Sequence, residues 1–524
     1  MDTKTPNAST RLVLRIGVGA GFLLAALGQV CLVFSSIPLG VPGEWVWERL
    51  LSESWPWSLG VFALFGAAYV AFVRAGAIRL ESATAWGRGL WVGGLVLAAF
   101  AWLWVVQEQA PAGFQLSKAG WVLYFRGPSG YFTDAQASSH RRAGFLAGYE
   151  DEVAKGDVLH FGTHPPGLII GYWALSDLVT STAVRDMALA TQPASVRETF
   201  DEIGRHTPLS LADRAVLWLA LLVVMFAAAL TVLPLYGLLR LEHSPATSWL
   251  AASLWPTVPA IAVFIPKSDV LLAFWATTWL WLWITSVTAP KFRWLRASLA
   301  GLWLFAGATI SLALLPAVFL AGVWTVCHIA YAGEIRTLVA RRIGLLSMWT
   351  IFAFAVACGL VWWVAALNLP AVWWHNYQNH AGFYAKFHRT YWKWLLVNPV
   401  ELASACGLPL TLLALVEVVQ HSRGCRQMTT DVQKQRRAVL IACVVTWLVM
   451  WLTGKNSGEA ARLWCFSLPW MIWVGVGALA FRSSPVIDRP AERAAVERGL
   501  LVLTAQLVAS AVTVSGIVGF QVVR

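Results

Sequence analysis

The sequence predicts an all-α polytopic membrane protein, because its composition, its long apolar runs and the spacing of its basic residues all favour that class. Of its 524 residues, 58% are hydrophobic and 13% are charged, whereas a soluble chain is about 25% charged. A helix needs about 20 apolar residues to cross a hydrocarbon layer about 30 Å thick. Runs of this length recur throughout the sequence, so we expect a membrane bundle rather than a series of soluble domains.

Charge clusters, glycines and prolines bound these runs and predict about thirteen transmembrane helices. The first run follows Lys4 and Arg11 without a clear small-residue cleavage site, which indicates a retained helix and not a signal peptide. We expect two helices within residues 1–86 to precede a main bundle of residues 87–524. The expected spans are residues 12–36, 57–74, 88–107, 213–240, 245–265, 270–288, a pair within 297–330 broken near 307–316, 343–367, 400–420, 438–453, 463–481 and 499–522.

The lysines and arginines orient this bundle. They form six clusters. If successive expected helices cross the membrane in alternating directions, all six clusters lie on the same side, and the positive-inside rule makes that side cytoplasmic. The N-terminus is then cytoplasmic and the C-terminus lies outside. The net charge of +12 reflects topology, so a nucleic-acid partner is not expected. The clusters are Lys4/Arg11/Arg15, Arg74/Arg79/Arg88, Lys291/Arg293/Arg296, Arg336/Arg341/Arg342, Arg423/Arg426/Lys434/Arg436/Arg437 and Arg482/Arg489/Arg493/Arg498.

The opposite, outer side receives three substantial loops, at residues 108–208, 368–399 and 454–462. Within the first loop, residues 165–184 are short for a span and contain Asp177, so we expect a helix lying in the membrane interface. The seven cysteines show no CxxC or Cys/His spacing, which argues against a zinc site or a disulfide framework.

Two motifs in the first loop hold candidate functional residues. Asp134 in SGYFTDAQ follows two aromatic residues and a hydroxyl; shielding at the membrane surface would raise its pKa and make it a better general base. The alternative is that it caps a helix beginning at Ala135. In HFGTHPPG, two prolines hold the backbone extended and fix the direction of His164 at the start of the interfacial helix. A helix-start signal explains the prolines but leaves His160 and His164 unexplained.

Ionisable residues also interrupt apolar sequence at the outer ends of later spans. In FIPKSDVLL, Lys267 is a candidate phosphate ligand, and Asp269 either orients it or caps the next helix; the alternative is an interfacial turn with a snorkelling lysine. Residues 373–394 combine an aromatic belt with histidines and cations, among them His380, Tyr384 and Arg389. Aromatic faces suit a sugar ring, and cations suit a phosphate.

Glu459 and Arg462 stand one helical turn apart in GKNSGEAARLWCF, at the mouth of a span. They form either an ion pair that neutralises both for burial or a phosphate site built on the arginine fork. Together with the preceding motifs they bring a carboxylate, histidines, at least four cations and many aromatic residues to one face.

This combination resembles the GT-C fold, the superfamily of polytopic glycosyltransferases that includes protein O-mannosyltransferases and aminoarabinose transferases. The resemblance covers roughly residues 91–524. By it, Asp134 matches the catalytic loop carboxylate, His164-Pro165-Pro166 matches the proline knot, and Pro266 with Asp269 matches a P-x-x-D break. The sequence departs from the pattern in its two preceding helices, in the long gap before Asp134, and in Ala135, where a second acid would suit a divalent ion.

The resemblance implies a GT-C-like bundle that transfers a hexosyl or pentosyl unit from a polyprenyl-phosphate donor to a lipid, glycan or protein acceptor. The chemistry would occur at the non-cytoplasmic face of a bacterial cell membrane, with membrane lipids around it and no cofactor or metal site assigned. Asp134 is the expected base. The expected substrate-binding residues are His164, Lys267, Asp269, His380, Tyr384, Arg389, Glu459 and Arg462. A transporter or flippase of lipid-linked saccharides, or a surface-polysaccharide ligase or polymerase, remains the alternative.

Overall fold

The computed structural model describes residues 8–50, 55–424, 430–455, 457–479 and 489–520. In these ranges the chain is almost entirely helical, which confirms the all-α class. Among the basic residues expected on the cytoplasmic side, Lys4, Arg426 and Arg482 lie outside the described residues. The C-terminal residues 521–524, expected on the outer side, lie outside them as well.

The N-terminal part packs onto the bundle instead of standing apart from it. It consists of α1 (Ala8–Phe34), β1 (Gly40–Val41), β2 (Trp45–Val46), β3 (Glu48–Arg49), α2 (Trp55–Arg79) and α3 (Ala85–Glu108). Strands β1 and β2 form an antiparallel hairpin, and β3 pairs antiparallel with β4 (Ile517–Val518). The buried Gln29 amide donates to the Ser404 carbonyl at 3.1 Å and to Thr513 Oγ1 at 2.9 Å, so α1 is bonded to the last part of the chain.

The first long loop is folded into eight short helices. They are α4 (Lys118–Tyr124), α5 (Tyr131–Ser138), α6 (Arg142–Ala147), α7 (Tyr149–Ala154), α8 (His160–Thr163), α9 (Gly167–Leu178), α10 (Thr182–Ala190) and α11 (Ala194–His206). The expected interfacial helix corresponds to α9 and α10, which are bent by 103° relative to each other. A sharp bend at Thr180 and Ser181 keeps the pair from forming one straight crossing.

The central helices are α12 (Leu211–Leu230), α13 (Val232–Leu239), α14 (Pro245–Ala252), α15 (Pro259–Phe264), α16 (Leu271–Thr288), α17 (Arg293–Ala308), α18 (Leu315–Ala330) and α19 (Arg336–Ala365). A capping box of Ser210 and Asp213 starts α12. The break between α17 and α18 confirms the predicted broken pair. There the Ser311 hydroxyl accepts from the Ala313 amide at 3.1 Å, and Pro316 stands in the first turn of α18.

The last helices are α20 (Leu369–Lys386), α21 (Tyr391–Cys406), α22 (Leu408–Gly424), α23 (Asp431–Leu452), α24 (Ala460–Leu463), α25 (Leu468–Leu479) and α26 (Arg489–Gly516). Short 3-10 helices at Ser139–Arg141, Trp255–Thr257, Ser268–Val270, Leu312–Leu314, Gly333–Ile335 and Cys465–Ser467 join neighbouring elements. Helices α21 and α22 bend by 110° at Gly407, whose φ of +94° suits glycine.

The predicted count of about thirteen spans is not confirmed. In the described ranges, eight helices are long and apolar enough to cross a membrane, or ten if each of the two bent pairs counts as one span. Part of the difference between thirteen expected and eight to ten observed spans in the described ranges comes from breaks within single apolar runs. The expected span 245–265 is broken into α14, a 3-10 turn and α15, because Pro256 and Pro259 interrupt the helical hydrogen bonds.

A buried ion cluster joins three helices at the end of the bundle opposite Asp213. Arg436 of α23 pairs with Glu417 of α22 at 3.2 Å and with Glu242, just beyond α13, at 3.5 Å. Its guanidinium also donates to the Trp473 carbonyl at 2.6 Å. All three ionic side chains are at most 10% exposed, so each carboxylate depends on this one arginine for compensation.

We predict that Arg436→Met destabilises the protein by about 3–5 kcal/mol, because it leaves two buried carboxylates without their cation. Lys434→Met is the matched control. Lys434 lies on the same helix and pairs with the exposed Asp431 at 3.2 Å, a type of pair worth about 0.5 kcal/mol or less. Thermal unfolding in detergent measures both variants, and equal losses in melting temperature would contradict the role of the cluster.

Candidate active site

The HFGTHPPG motif is held rigidly at the end of the bundle where α12 begins. The Gly167 amide donates to the Thr309 carbonyl at 2.8 Å, and a Cβ at Gly167 would collide with that carbonyl. From the other side, Asn376 and Asn379 of α20 donate to the Gly162 carbonyl at 2.7 and 2.9 Å. The backbone that carries the two histidines is therefore fixed from both α17 and α20.

His160 and His164 share one aromatic neighbour, Tyr131 of α5, at ring distances of 5.7 and 5.8 Å. The Nδ1 atom of His164 lies 3.2 Å from the His160 carbonyl. Burial lowers the pKa of His164 to about 4, although the charge of Asp269 opposes the shift. Burial and the charge of Lys267 likewise lower the pKa of His160 to about 3. Both rings are therefore neutral at physiological pH.

Lys267, Asp269, Glu459 and Arg462 form what we call the Arg462 cluster. Arg462 Nη2 donates to Glu459 Oε2 at 2.8 Å, and Arg462 Nε lies 3.6 Å from Asp269 Oδ2. The guanidinium thus has the ion pair expected from the sequence and a second carboxylate besides. Asp269 does not cap α16 with its side chain, because it lies in the 3-10 turn Ser268–Val270 and the N-cap of α16 is Val270. Burial alone would lower the pKa of Arg462, but the two carboxylates raise it by more. The net shift is upward, so the arginine stays charged.

Lys267 is buried at the edge of this cluster, with 7% of its surface exposed. Its ammonium donates to the Pro128 carbonyl and lies 5.9 Å from the Phe520 ring. Burial and the nearby charge of Arg462 lower its pKa to about 7, against the opposing influence of Asp269. The side chain therefore sits inside the protein and not along its surface as a snorkelling lysine would.

Asp134 lies on α5, the helix that also carries Tyr131. The helix begins at Tyr131 and not at Ala135, so Asp134 is inside the first turn and the capping interpretation is wrong. Its Oδ1 accepts from Arg126 Nη2 at 2.7 Å, with 15% of the aspartate side chain exposed. Burial raises the pKa of Asp134, and Arg126 opposes that shift. The carboxylate is half-shielded beside the histidine pair, since a Cβ at Gly130 would lie within 4 Å of both Asp134 and His160.

The residues expected from the 373–394 region are spread over a second area. Tyr384 accepts a hydrogen bond from the Ser457 amide at 3.0 Å, and His380 packs against Tyr384 at 6.3 Å. Arg389 is turned away toward the N-terminal hairpin, where it donates to the Glu44 carbonyl at 2.9 Å. His380 and Tyr384 therefore border the 454–462 loop, while Arg389 belongs to its support.

An apolar groove with a volume of about 270 Å³ opens beside this loop. The start of α18 and the end of α23 form its walls, and the segment that follows Arg462 contributes Trp464 and Phe466. Of the described residues that line it, Lys455 alone is charged. The lining residues are Ala313, Leu315, Pro316, Phe319, Thr446, Val449, Met450, Thr453, Lys455, Trp464 and Phe466.

Sequence reasoning missed several residues of this region. Lys455 belongs to the GKNSGEAARLWCF motif, but the sequence pattern does not distinguish it from an ordinary surface lysine. Its ammonium lies 5.1 Å from the Tyr377 ring, and in the described ranges no carboxylate forms an ion pair with it. Arg126 lies eight residues before Asp134, and only its charge indicates that it could pair with that carboxylate. Glu44 and Glu401 carried no recognisable signal, because their partners are distant in sequence.

Across the described part of the chain, no group of three or more His, Cys, Asp or Glu side chains is arranged to hold a metal ion. Beside Asp134, the nearest charged group is the guanidinium of Arg126, whose Nη2 lies 2.7 Å from Oδ1.

No protein-family model matches the sequence, and a search of curated proteins found no match. Solved structures with a similar fold include two oligosaccharyltransferases. One is the oligosaccharyltransferase AglB of Archaeoglobus fulgidus in complex with an inhibitory peptide and a dolichol-phosphate, with a TM-score of 0.46 and 10% identity over 84% of this chain. The other is an oligosaccharyltransferase of the same organism tethered to an acceptor peptide, with a TM-score of 0.40 and 11% identity over 66%.

This chain spans 57% of the length of the first of these proteins and 47% of the second. At such low identity, no residue of this chain takes its role from either structure.

The pKa of Lys267 leads to a pH prediction. Its value of about 7 means that the ammonium is charged below neutral pH and neutral above it. Affinity for an anion whose own charge is constant, such as a phosphodiester, should therefore fall about tenfold between about pH 6 and about pH 8. Binding of a fluorescent polyprenyl phosphodiester to protein in nanodiscs measures it.

Lys267→Gln should flatten this profile. Lys118→Gln is the matched control, because burial also lowers the pKa of Lys118 to about 7, and its ammonium lies 5.5 Å from the same Phe520 ring. Lys118 donates to the Val263 carbonyl at 3.1 Å and is not part of the Arg462 cluster. A pH profile that Lys118→Gln flattens and Lys267→Gln does not would overturn the assignment.

Proposed function

We propose that this protein is a glycosyltransferase that takes a sugar from a polyprenyl-phosphate donor and transfers it to a hydroxyl acceptor at the non-cytoplasmic face of the membrane. One observation carries the proposal. Among the described residues, the wall of the apolar groove holds a single cation, Lys455, and the lining residues Trp464 and Phe466 belong to the same short segment as Arg462. A ligand with a long apolar tail and an anionic head matches both parts of this arrangement.

The groove suits an isoprenoid chain. Its walls are the flanks of α18 and α23, and Phe319 and Val449 of these walls are 43% and 42% exposed. The first isoprene units would lie against these side chains, and the rest of the tail would continue into the bilayer. Burial of apolar surface then holds the lipid, while its head group remains beside Lys455.

Lys455, Lys267 and Arg462 would hold the phosphate. As the sugar leaves, the polyprenyl phosphate gains negative charge, and preorganised cations stabilise that charge most in the transition state. Asp269 and Glu459 bind two sides of the Arg462 guanidinium and so fix its direction. Because they also neutralise it, Lys455 and Lys267 would supply the excess positive charge.

Asp134 would act as the general base. Its carboxylate accepts the proton of the acceptor hydroxyl while the hydroxyl oxygen bonds to the anomeric carbon of the sugar. The bond between that carbon and the phosphate oxygen breaks, and its electron pair leaves with the polyprenyl phosphate. Burial raises the pKa of Asp134, which improves its basicity. One nitrogen of each neutral imidazole already contacts backbone, His160 Nε2 with the Gly127 carbonyl and His164 Nδ1 with the His160 carbonyl, so the other nitrogen of each ring would serve hydroxyl groups.

The finer assignments belong to the same proposal. The orientation derived from the basic clusters supports a site on the outer face. The resemblance alone supports placing it in a bacterial cell membrane. The acceptor is a lipid, glycan or protein hydroxyl. His380 and Tyr384 border the 454–462 loop and would act on the donor or acceptor from its edge, whereas Arg389 would support the loop from the side of the N-terminal hairpin.

The purified protein in nanodiscs, supplied with a panel of radiolabelled polyprenyl-phosphate sugars and a membrane extract as acceptor, tests the function. We expect release of polyprenyl phosphate together with a new glycosidic product. Movement of the lipid between leaflets without any product would favour a flippase and overturn the proposal. Repeated addition of sugar units to one acceptor would instead indicate a polymerase.

For the base we predict that Asp134→Asn lowers kcat by about 10²–10⁴-fold, the usual contribution of a general base, while donor affinity and melting temperature stay close to wild type. The asparagine keeps the size and hydrogen-bonding oxygen of the aspartate but loses its basicity. Asp177→Asn is the control, since Asp177 forms a comparable ion pair with Arg142 at 2.7 Å outside the site. Near-normal turnover of Asp134→Asn would contradict the assignment.

A further inference from the structure

The N-terminal hairpin, residues 39–49, reaches from the segment between α1 and α2 to the Arg462 cluster. Trp47 is 3% exposed and packs edge-on against Phe264 at 5.7 Å. Its backbone amide donates to the Leu39 carbonyl at 2.8 Å, which closes the hairpin below the β1–β2 pair. The following strand is paired with β4, so the indole of Trp47 is held from both sides.

The indole of Trp47 ends on a buried carboxylate, Glu401 of α21. Glu401 is 1% exposed, and its Oε1 atom accepts from Trp47 Nε1 at 3.2 Å and from the Ala461 amide at 3.1 Å. Ala461 is the residue directly before Arg462. One carboxylate oxygen therefore joins the N-terminal hairpin to the helical turn that carries the arginine of the cluster.

That turn needs an external restraint. Helix α24 is only four residues long, and Glu459 before it has a φ of +57°. This left-handed conformation is unfavourable for a residue with a side chain and persists only where surrounding contacts enforce it. The bond from the Ala461 amide to Glu401 is such a contact, because it fixes the backbone between the two charged partners Glu459 and Arg462.

The hairpin braces the same loop at a second point. Glu44 accepts from the Thr390 amide at 2.9 Å and from Trp394 Nε1 at 2.7 Å. Burial alone would raise the pKa of Glu44, but these hydrogen bonds and the charge of Lys393 lower it by more. The net pKa is about 2, so the carboxylate stays charged. Gly458 packs against this junction, since a Cβ there would lie 3.0 Å from Arg389 Nε and 3.3 Å from the Trp394 ring.

We propose that Trp47 and Glu401 are positioning residues for Arg462, so that the N-terminal hairpin completes the phosphate site of the bundle. This inference rests on the proposed function insofar as Arg462 binds a lipid phosphate. Neither residue touches the substrate. Glu401 sets the backbone of the α24 turn, and Trp47 holds the Glu401 carboxylate in the orientation that accepts from Ala461.

Two readouts on the full-length protein in nanodiscs test this positioning. The first is the affinity for farnesyl phosphate. Glu401→Leu, which has no acceptor, should weaken it by about tenfold to about a hundredfold, because small displacements of a binding group have large effects. Trp47→Phe, which keeps an aromatic ring but loses the N–H, should weaken it by about three- to tenfold. Glu401→Gln retains an acceptor oxygen and should remain within about twofold of wild type.

Trp45→Phe is the matched control, since Trp45 lies in the same hairpin and packs against Trp47 and Trp394 but does not bond to Glu401. In an Arg462→Ala background, Trp47→Phe should have no additional effect on affinity, because the residue acts through Arg462. A further loss of the same size in that background would overturn the inference and indicate general support of the fold.

The second readout is hydrogen–deuterium exchange of residues 457–466, which does not depend on the ligand. Exchange should accelerate in Glu401→Leu and Trp47→Phe and stay at the wild-type rate in Glu401→Gln and Trp45→Phe. If wild-type protein does not bind farnesyl phosphate, the proposed function fails, and the exchange rates still decide whether the hairpin positions the turn. Unchanged exchange in Glu401→Leu would overturn the positioning role in either case.

Discussion

The site is organised around one constraint, the compensation of the buried charge of Arg462. A guanidinium at the end of an apolar bundle is costly unless carboxylates surround it. Asp269 and Glu459 provide that compensation at 3.6 and 2.8 Å. Asp269 stands at the start of α16, and Glu459 belongs to the 454–462 loop, so the same ion pairs fasten the loop onto the bundle. These ion pairs also position the groove residues Trp464 and Phe466, because both follow Arg462 closely in the chain.

The two ends of the bundle use buried charge in different ways. At the far end, Arg436 is bound by Glu417, Glu242 and two backbone carbonyls, which leaves the guanidinium saturated and suits a structural role. At the site end, the charges are distributed. Arg462 is neutralised, Lys267 has a pKa of about 7, and no carboxylate in the described ranges pairs with Lys455. Among the described residues, the buried arginine of the far end is therefore fully bound, whereas the buried cations of the site end leave positive charge for an anion.

Sequence reasoning recovered the parts that depend on local pattern. The all-α class, the break between α17 and α18, the fixed HFGTHPPG motif and the Glu459–Arg462 pair all follow from residues close together in the chain. The helix count was less accessible, since Pro256 and Pro259 break an apolar run that hydropathy treats as continuous. The supports of the site were not accessible at all. Glu44 lies 346 residues before Thr390, and Trp47 lies 354 residues before Glu401, so only the folded chain reveals that they meet.

In the proposed complex, a lipid phosphate binds with its tail in the α18–α23 groove and its head beside the Arg462 cluster. A structure by electron cryo-microscopy of the protein in nanodiscs with a polyprenyl phosphate tests it most directly. We expect density for the isoprenoid chain along Phe319, Val449 and Met450, with the phosphate within hydrogen-bonding distance of Lys455 or Arg462. A phosphate bound elsewhere on the protein, with the groove empty of the isoprenoid chain, would contradict it.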